Sequence, residues 1–323
     1  MNVSILVLEN SVIQAIADPQ YLLSAVNQFM SGAGKKSLFN VQLVGWKKQM
    51  RINNGSFAIN TTHLLKDVKQ TDLIIIPALF GDMKTAIAAN KKVLPWIKEQ
   101  YKNGAEIASL CVGAFLLAST GLLDGKKCST HWGFQNEFRE LFPEVEVVEG
   151  NIITEEHRIY SSGGAHSYWN LLLHLVEKYT DRETAILASK YFAIDIDRES
   201  QTTFAIFKGQ KMHTDEAVKK AQDYIEKNYQ NKITIEDLTE FVSVGRRSFE
   251  RRFKLATANT VLEYIQRIKV EAAKRSFENS RKNMNEVMFD VGYTDTKAFR
   301  RVFKKITGLT PIAYRNKYNK MVV

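Results

Sequence analysis

The sequence predicts an α/β domain, a parallel sheet sandwiched between helices, followed by an all-α domain with two helix-turn-helix motifs. Three observations predict it. Short apolar strands alternate with helical stretches up to about residue 180. Beyond residue 216 every strong hydrophobic period is helical, and a segment near 250 recurs near 300. The charge is also uneven: from Thr214 onward there are 23 Lys+Arg against 14 Asp+Glu, so +9 of the chain's net +10 lies in the last third. A solvating surface would spread its charge, whereas a concentrated one suits a polyanion.

In the first part, VSILVL (3–8), FNVQLVGW (39–46), DLIIIPAL (72–79), AEIASL (105–110) and RIYSSGG (158–164) read as strands. PQYLLSAVNQFM (19–30) and VLPWIKEQYKNG (93–104) read as amphipathic helices, the second stopped by Gly104. Such alternation makes a parallel sheet covered on both faces, with ligands collecting at the carboxyl ends of its strands. Cys111, in IASLCVGAF (107–115), sits just past one of those ends. Residues 183–199 read as one further helix and its exit, and the polar stretch around 201–215 as a linker. The expected domains are therefore 1–200, a linker 201–215, and 216–323.

In the last part, RRSFERRFKLATANTVLEY (246–264) repeats as TKAFRRVFKKITGLTPIAY (296–314), with seven of 19 positions identical at an offset of 50. Each copy follows a short helix candidate. TIEDLTEFV (234–242) opens with a Thr-x-x-Asp cap, and MNEVMFDVGY (284–293) ends in a Gly turn. A long helix over 260–278 joins the two pairs. On a helical wheel, Phe249 and Phe253 oppose Arg247, Arg251 and Lys254; Phe299, Phe303 and Ile306 oppose Lys297, Arg300, Arg301 and Lys304. A recognition helix needs this arrangement, its apolar side on its own domain and long donors toward base edges and phosphates. Arg246 and Thr296 open the two helices, and Glu250 shares the basic face, where it could accept from a cytosine amino group. These ten residues are the candidate DNA-binding set. A basic helix face alone is commonly only solvated; two phased copies within a +9 domain make double-stranded DNA the expected partner.

Residues 216–318 resemble the AraC/XylS DNA-binding domain, most closely over DVGYTDTKAFRRVFKKITGLTPIAYR (290–315). The first copy departs from the pattern, with Ala258 in place of the usual Gly and Val261 where Pro is frequent. The N-terminal two-thirds resembles the PfpI-type, class I glutamine-amidotransferase-like superfamily over SLCVGAFLLASTGLLDGKKCSTHW (109–132). That resemblance implies a flavodoxin-like fold with Cys111 on a strand-to-helix elbow and His131 in the neighbouring pocket. An activated thiol needs its proton affinity lowered by a cation, a base or a helix N-terminus. Here Val112 stands where PfpI-type enzymes carry His, Ala15 where relatives carry a carboxylate, and Ala78 where a Gly is usual; Asp18 is close but out of register. Cys111 and His131 are accordingly expected in a non-catalytic effector pocket, and Cys128 as packing.

The two resemblances together are those of GlxA-like transcriptional regulators. SSGGAHSYWNLLLHLVEKY (161–179), with Asn170 for the usual Asp, and Asp197-Arg198 also fit. They imply a homodimeric, sequence-specific regulator that senses a small molecule or a thiol oxidant and works with RNA polymerase. Neither metal nor cofactor is expected. With two cysteines, no apolar run near the ~18 residues of a membrane helix and no basic region before the first strand, the expected place is the reducing cytoplasm. The competing readings are a cysteine-dependent amidase or glyoxalase-like enzyme with a basic tail, and a non-specific architectural DNA binder.

Overall fold

The computed structural model describes residues 1–52, 55–196, 200–211 and 213–319. The chain divides into two compact units, Met1–Gln201 and Thr202–Val323.

Among its described residues the first unit holds eleven strands: β1 (Asn2–Leu6), β2 (Asn40–Gly45), β3 (Gln49–Ile52), β4 (Phe57–Asn60), β5 (His63–Leu64), β6 (Leu73–Ile76), β7 (Glu106–Ser109), β8 (Lys127–Cys128), β9 (Glu146–Val147), β10 (Ile153–Glu156) and β11 (Ile159–Ser162). Seven of them form the central sheet in the order β10-β11-β7-β6-β1-β2-β5. All its pairings are parallel except β10 with β11. The strands β6 and β11 are buried at every residue, which explains the unbroken apolar run LIII: a strand covered on both faces has no solvent side to alternate with. Helices α1 (Gln14–Gly32), α6 (Tyr168–Tyr179) and α7 (Arg182–Phe192) pack on one another. The remaining helices are α2 (Met83–Ala89), α3 (Leu94–Lys102), α4 (Ala114–Ala118) and α5 (Gln135–Leu141).

Two expectations change. Helix α1 begins at Gln14, not Pro19, and carries Pro19 inside. Its opening residues rest on Val12 and Ile13 carbonyls, with Ala15, Ile16 and Ala17 donating, so the turn before the proline is already formed. Strands β3, β4, β5, β8, β9 and β10 lie outside the expected set: each has two to four residues and, unlike the LIII of β6, no apolar run to mark it. Asp197-Arg198 lie outside the described residues.

The second unit has seven α-helices among the described residues: α8 (Glu216–Asn228), α9 (Ile235–Val242), α10 (Arg246–Thr257), α11 (Val261–Asn279), α12 (Met284–Asp290), α13 (Thr296–Thr307) and α14 (Pro311–Tyr318). The repeat becomes geometry residue by residue. Phe249 and Phe253 lie with ring centroids 5.6 Å apart, Phe299 and Phe303 5.7 Å apart, and all four are buried. The second Phe of each pair meets a Tyr edge-on, Tyr264 at 5.3 Å and Tyr314 at 5.5 Å. Thr257 and Thr307 donate back to Phe253 O and Phe303 O (2.7 and 2.8 Å) and accept from the N–H of Asn259 and Leu309 (3.2 Å each), closing each helix end. Thr260 and Thr310 then cap the next helix. Thr234 and Asp237 form the reciprocal cap that Thr-x-x-Asp predicts.

The stretch read as a linker is ordered against the helical unit from Thr203 on. Thr203 Oγ1 donates to Thr307 O (3.1 Å), Lys274 Nζ to Ala205 O (2.6 Å), and Phe207 packs on Tyr264 at 5.2 Å. Among the described residues no helix is long and apolar enough to cross a membrane.

The two copies differ at the residue that ends their second helix. Ala258 adopts φ +55° and Gly308 φ +77°, a region where a Cβ is strained. Ala258→Gly should therefore stabilise the helical unit by about 0.5–1 kcal/mol, and Gly308→Ala should destabilise it by about 1 kcal/mol. Urea unfolding followed by amide exchange of α10 and α13 measures both, while the four tryptophans, all in the first unit, report that unit separately.

Candidate functional site

Strand β7 delivers the chain to Leu110 in extended conformation, after which Cys111 turns to φ +55° and a tight turn over Cys111–Gly113 starts the five-residue helix α4. A non-glycine residue there costs of order 1–3 kcal/mol and persists only when its surroundings fix it. Cys111 N–H donates to Ser162 Oγ at 2.9 Å, and Thr130 Oγ1 donates to Cys111 O at 3.2 Å. Close approach requires glycine at 113: a Cβ would lie 2.6 Å from Pro77 O and 2.9 Å from Ile76 O. The elbow expected from small-x-Cys-x-Gly is present.

Its chemistry differs from an activated thiol. Cys111 is buried, and burial pushes its pKa up to about 11; the N–H groups of Val112 and Ala165 aim at the sulfur and offset only part of that. A helix N-terminus supplies little activation here: α4 has five residues and follows a tight turn, too short to offset desolvation. Ala15 is fully buried and Val112 nearly so, leaving the sulfur neither acid nor base from those positions.

Asp18 instead accepts from Tyr168 Oη at 2.6 Å and Trp169 Nε1 at 3.0 Å. Tyr168, which interacts electrostatically with Cys111, is held well above its ordinary range by burial and by Asp18. His131 is half-buried, and burial lowers its proton affinity. Its Nδ1 accepts from Gly133 N at 3.0 Å, which assigns the hydrogen to Nε2 in the neutral ring. Among the described residues no hydrogen bond joins His131 to Cys111. Cys128 is fully buried, with its pKa pushed to about 12 by desolvation, as expected of a packing thiol. Asn170 donates to Asp195 O at 2.6 Å, a main-chain tie between α6 and the exit of α7. Among the described residues no cluster of three His, Cys, Asp or Glu could hold a metal.

Gln201 was missed in the sequence. Its buried amide accepts from Gly164 N (2.8 Å) and Trp132 N (3.3 Å) and donates to Thr130 O and Asn151 O (3.1 Å each). It stitches the His131 turn to the turn after β11. The signal was Gly163-Gly164: a Cβ on Gly163 would lie 2.6 Å from Gln201 Nε2, and one on Gly164 2.8 Å from His131 Cδ2.

On the second unit, Arg247, Arg251 and Lys254 of α10 and Lys297, Arg300, Arg301 and Lys304 of α13 are exposed, on the sides opposite the buried phenylalanines. Thr296 and Glu250 are half-buried. Arg246 bridges Glu236 and, at 3.7 Å, Glu250, so these two members of the set face each other as an ion pair. Arg300 Nε reaches Met284 Sδ at 3.3 Å. Arg252, one residue from the exposed face, is committed elsewhere, with Nε and Nη2 on the Asp215 carboxylate at 2.7 and 2.6 Å.

Comparison with known proteins agrees with both halves. Residues 23–178 match the DJ-1/PfpI family, and residues 238–317 match a helix-turn-helix domain. The chain is thus similar to a DJ-1/PfpI domain over its first part and to a helix-turn-helix domain over its last. It is 25% identical over 227 residues to the HTH-type transcriptional regulator GbdR of Pseudomonas aeruginosa, covering 69% of this chain and 61% of that protein. It is 22% identical over 260 residues to the regulator CdhR of the same species, covering 80% and 76%. Over 106 residues it is 34% identical to the bifunctional transcriptional activator/DNA repair enzyme AdaA of Bacillus subtilis, covering 33% and 50%. A crystal structure of a THiJ/PfpI family protein from Pseudomonas syringae shares the fold at TM-score 0.51, 14% identity, covering 83% of this chain and 88% of its own. One of an AraC family transcriptional regulator from Pseudomonas putida does so at TM-score 0.50, 16% identity, covering 59% and 98%.

In the first unit, a thiol at about 11 presents roughly a hundredth of the thiolate of one at 9 near neutral pH. Iodoacetamide should therefore label folded Cys111 at least about a hundredfold more slowly than the urea-unfolded chain, as mass spectrometry of the 111-containing peptide would measure.

Proposed function

We propose that the chain is a cytoplasmic, sequence-specific DNA-binding regulator of transcription whose DJ-1/PfpI domain senses a small molecule without catalysis and mediates dimerisation. The supporting observation is the duplicated basic face. Arg251/Arg301 and Lys254/Lys304 occupy equivalent, exposed positions on two helices whose opposite sides are anchored by equivalent phenylalanines. A structural repeat conserves what packs; here it also repeats two exposed cations that packing does not require. Major-groove readout by Arg and positioning on phosphate by Lys account for them.

In this reading Arg247, Arg251, Lys297, Arg300 and Arg301 approach base edges and phosphates, while Lys254 and Lys304 steer onto the backbone. Thr296 stands where α13 would enter the groove. Arg246 and Glu250 meet DNA only by exchanging their mutual ion pair for contacts to it, which makes Glu250 a discriminator that accepts from cytosine or is repelled by phosphate. The pocket around Cys111 and His131 is the effector site. The lack of a base at Ala15 and Val112 and the raised thiol pKa favour sensing over turnover. RNA polymerase is the natural further partner of such a regulator.

Selection from a random duplex pool with the full-length protein should yield a site in which two read segments lie about one helical turn, ~10 bp, apart. On that site Arg251→Ala and Arg301→Ala should each cost about 1–3 kcal/mol of binding and relax preference at different base pairs. Lys254→Ala should weaken all duplexes alike and shallow the salt dependence by about one unit of slope. Unchanged affinity in the Arg251→Ala/Arg301→Ala double variant would refute base reading by these helices.

A further inference from the structure

The two helix-turn-helix motifs meet at one buried point in the second unit. Lys269 lies mid-way along the connecting helix α11, 7% exposed. Its ammonium donates to Val291 O (3.0 Å) and Gly292 O (3.2 Å), in the turn between α12 and α13, and to Asn231 O (3.3 Å), in the loop between α8 and α9. The ring of Tyr293 stands 5.5 Å from the same nitrogen. Desolvation lowers its proton affinity. Gly292 is at φ +73°, and a Cβ there would run into Gln230 O and lie 2.7 Å from Lys269 Nζ. Tyr229, just before, packs against the apolar cores of both motifs.

A lysine shielded this far is costly unless each hydrogen finds an acceptor. Three carbonyls from two motifs supply them, with three donors on one ammonium. Methionine would fill the same space at no electrostatic cost, so the charge is there for what the carbonyls fix.

We infer that Lys269 is a positioning residue that locks the second motif's turn to the first motif's loop, so that the two recognition helices are presented at one fixed separation and phase. This rests on the two-motif reading of DNA binding given above. Two modules on a rigid junction bind a correctly spaced site with a high effective concentration, and loosening the junction lowers that concentration while admitting other spacings. One base pair inserted between the two segments moves the second by about 3.4 Å and a tenth of a turn, which a rigid pair cannot follow and a loosened pair can.

The test uses full-length protein and the duplex selected by the wild type, together with versions carrying one base pair more or less between the two segments. Wild type should lose at least about tenfold in affinity on either change. Lys269→Met should bind the parent duplex several-fold more weakly and lose less than about threefold on the same changes. Lys269→Gln, which keeps an amide donor, should fall between, and serves if the Met variant does not fold by circular dichroism and amide exchange of α9, α10, α12 and α13. Wild-type affinity indifferent to spacing, or folded variants as spacing-sensitive as wild type, would overturn the inference while leaving two-motif binding in place. Absence of any selected duplex would instead remove the reading it rests on.

Discussion

Packing of two phenylalanines, four residues apart, against a tyrosine of the following helix is the constraint on which each half of the second unit depends. Fully burying one such ring is worth about 1.5–3 kcal/mol, and edge-on pairing about 0.5–1.5 kcal/mol more. Once Phe249 and Phe253, or Phe299 and Phe303, are turned inward, helical periodicity leaves Arg251, Lys254, Arg301 and Lys304 no direction but outward. Tyr264 and Tyr314 add a polar end to the same contact, donating to Glu226 (2.8 Å) and to Glu278. Core and basic face are two consequences of one spacing.

The first unit turns on a local contest at Cys111. The N–H groups of Val112 and Ala165 favour thiolate, while the surrounding apolar core, with Leu110, Ala114 and Phe115 all at 0% exposure, disfavours it more strongly. Elbow geometry is a property of the fold; activation is a property of the residues around it. A protein can therefore keep the turn without the chemistry, and burial of the sulfur is felt here as a thiol that stays protonated.

The sequence made some features legible and hid others for physical reasons. Fully buried strands announce themselves as apolar runs, so LIII and the strand before Cys111 were readable. The 50-residue repeat exposed both basic helices, α10 and α13, with their buried phenylalanines and outward cations, and the αL residue closing the first copy, Ala258, was visible as the departure from glycine. The hairpin β3–β4 was too short to carry a period. Residues that act over long sequence separations were invisible: Gln201 reaches back to Thr130, Trp132, Asn151 and Gly164, and Lys269 bridges carbonyls on either side of it. Each left only a trace in its partners, a glycine pair in one case and Gly292 in the other. The ion pair of Arg246 with Glu236 was hidden for the same reason: a helical wheel orders one helix and is silent about the one beside it, whereas the Arg246–Glu250 contact, four residues apart on α10, follows from spacing.

The most direct measurement of the central claim, that two equivalent helix faces engage DNA together, is arginine footprinting of the full-length protein. Phenylglyoxal modification would be read by mass spectrometry with and without the selected duplex. Arg251 and Arg301 should be modified readily in the free protein and both be protected in the complex, while Arg252, held by Asp215, changes little. Protection of one of the two and not the other, or of neither, would contradict the account.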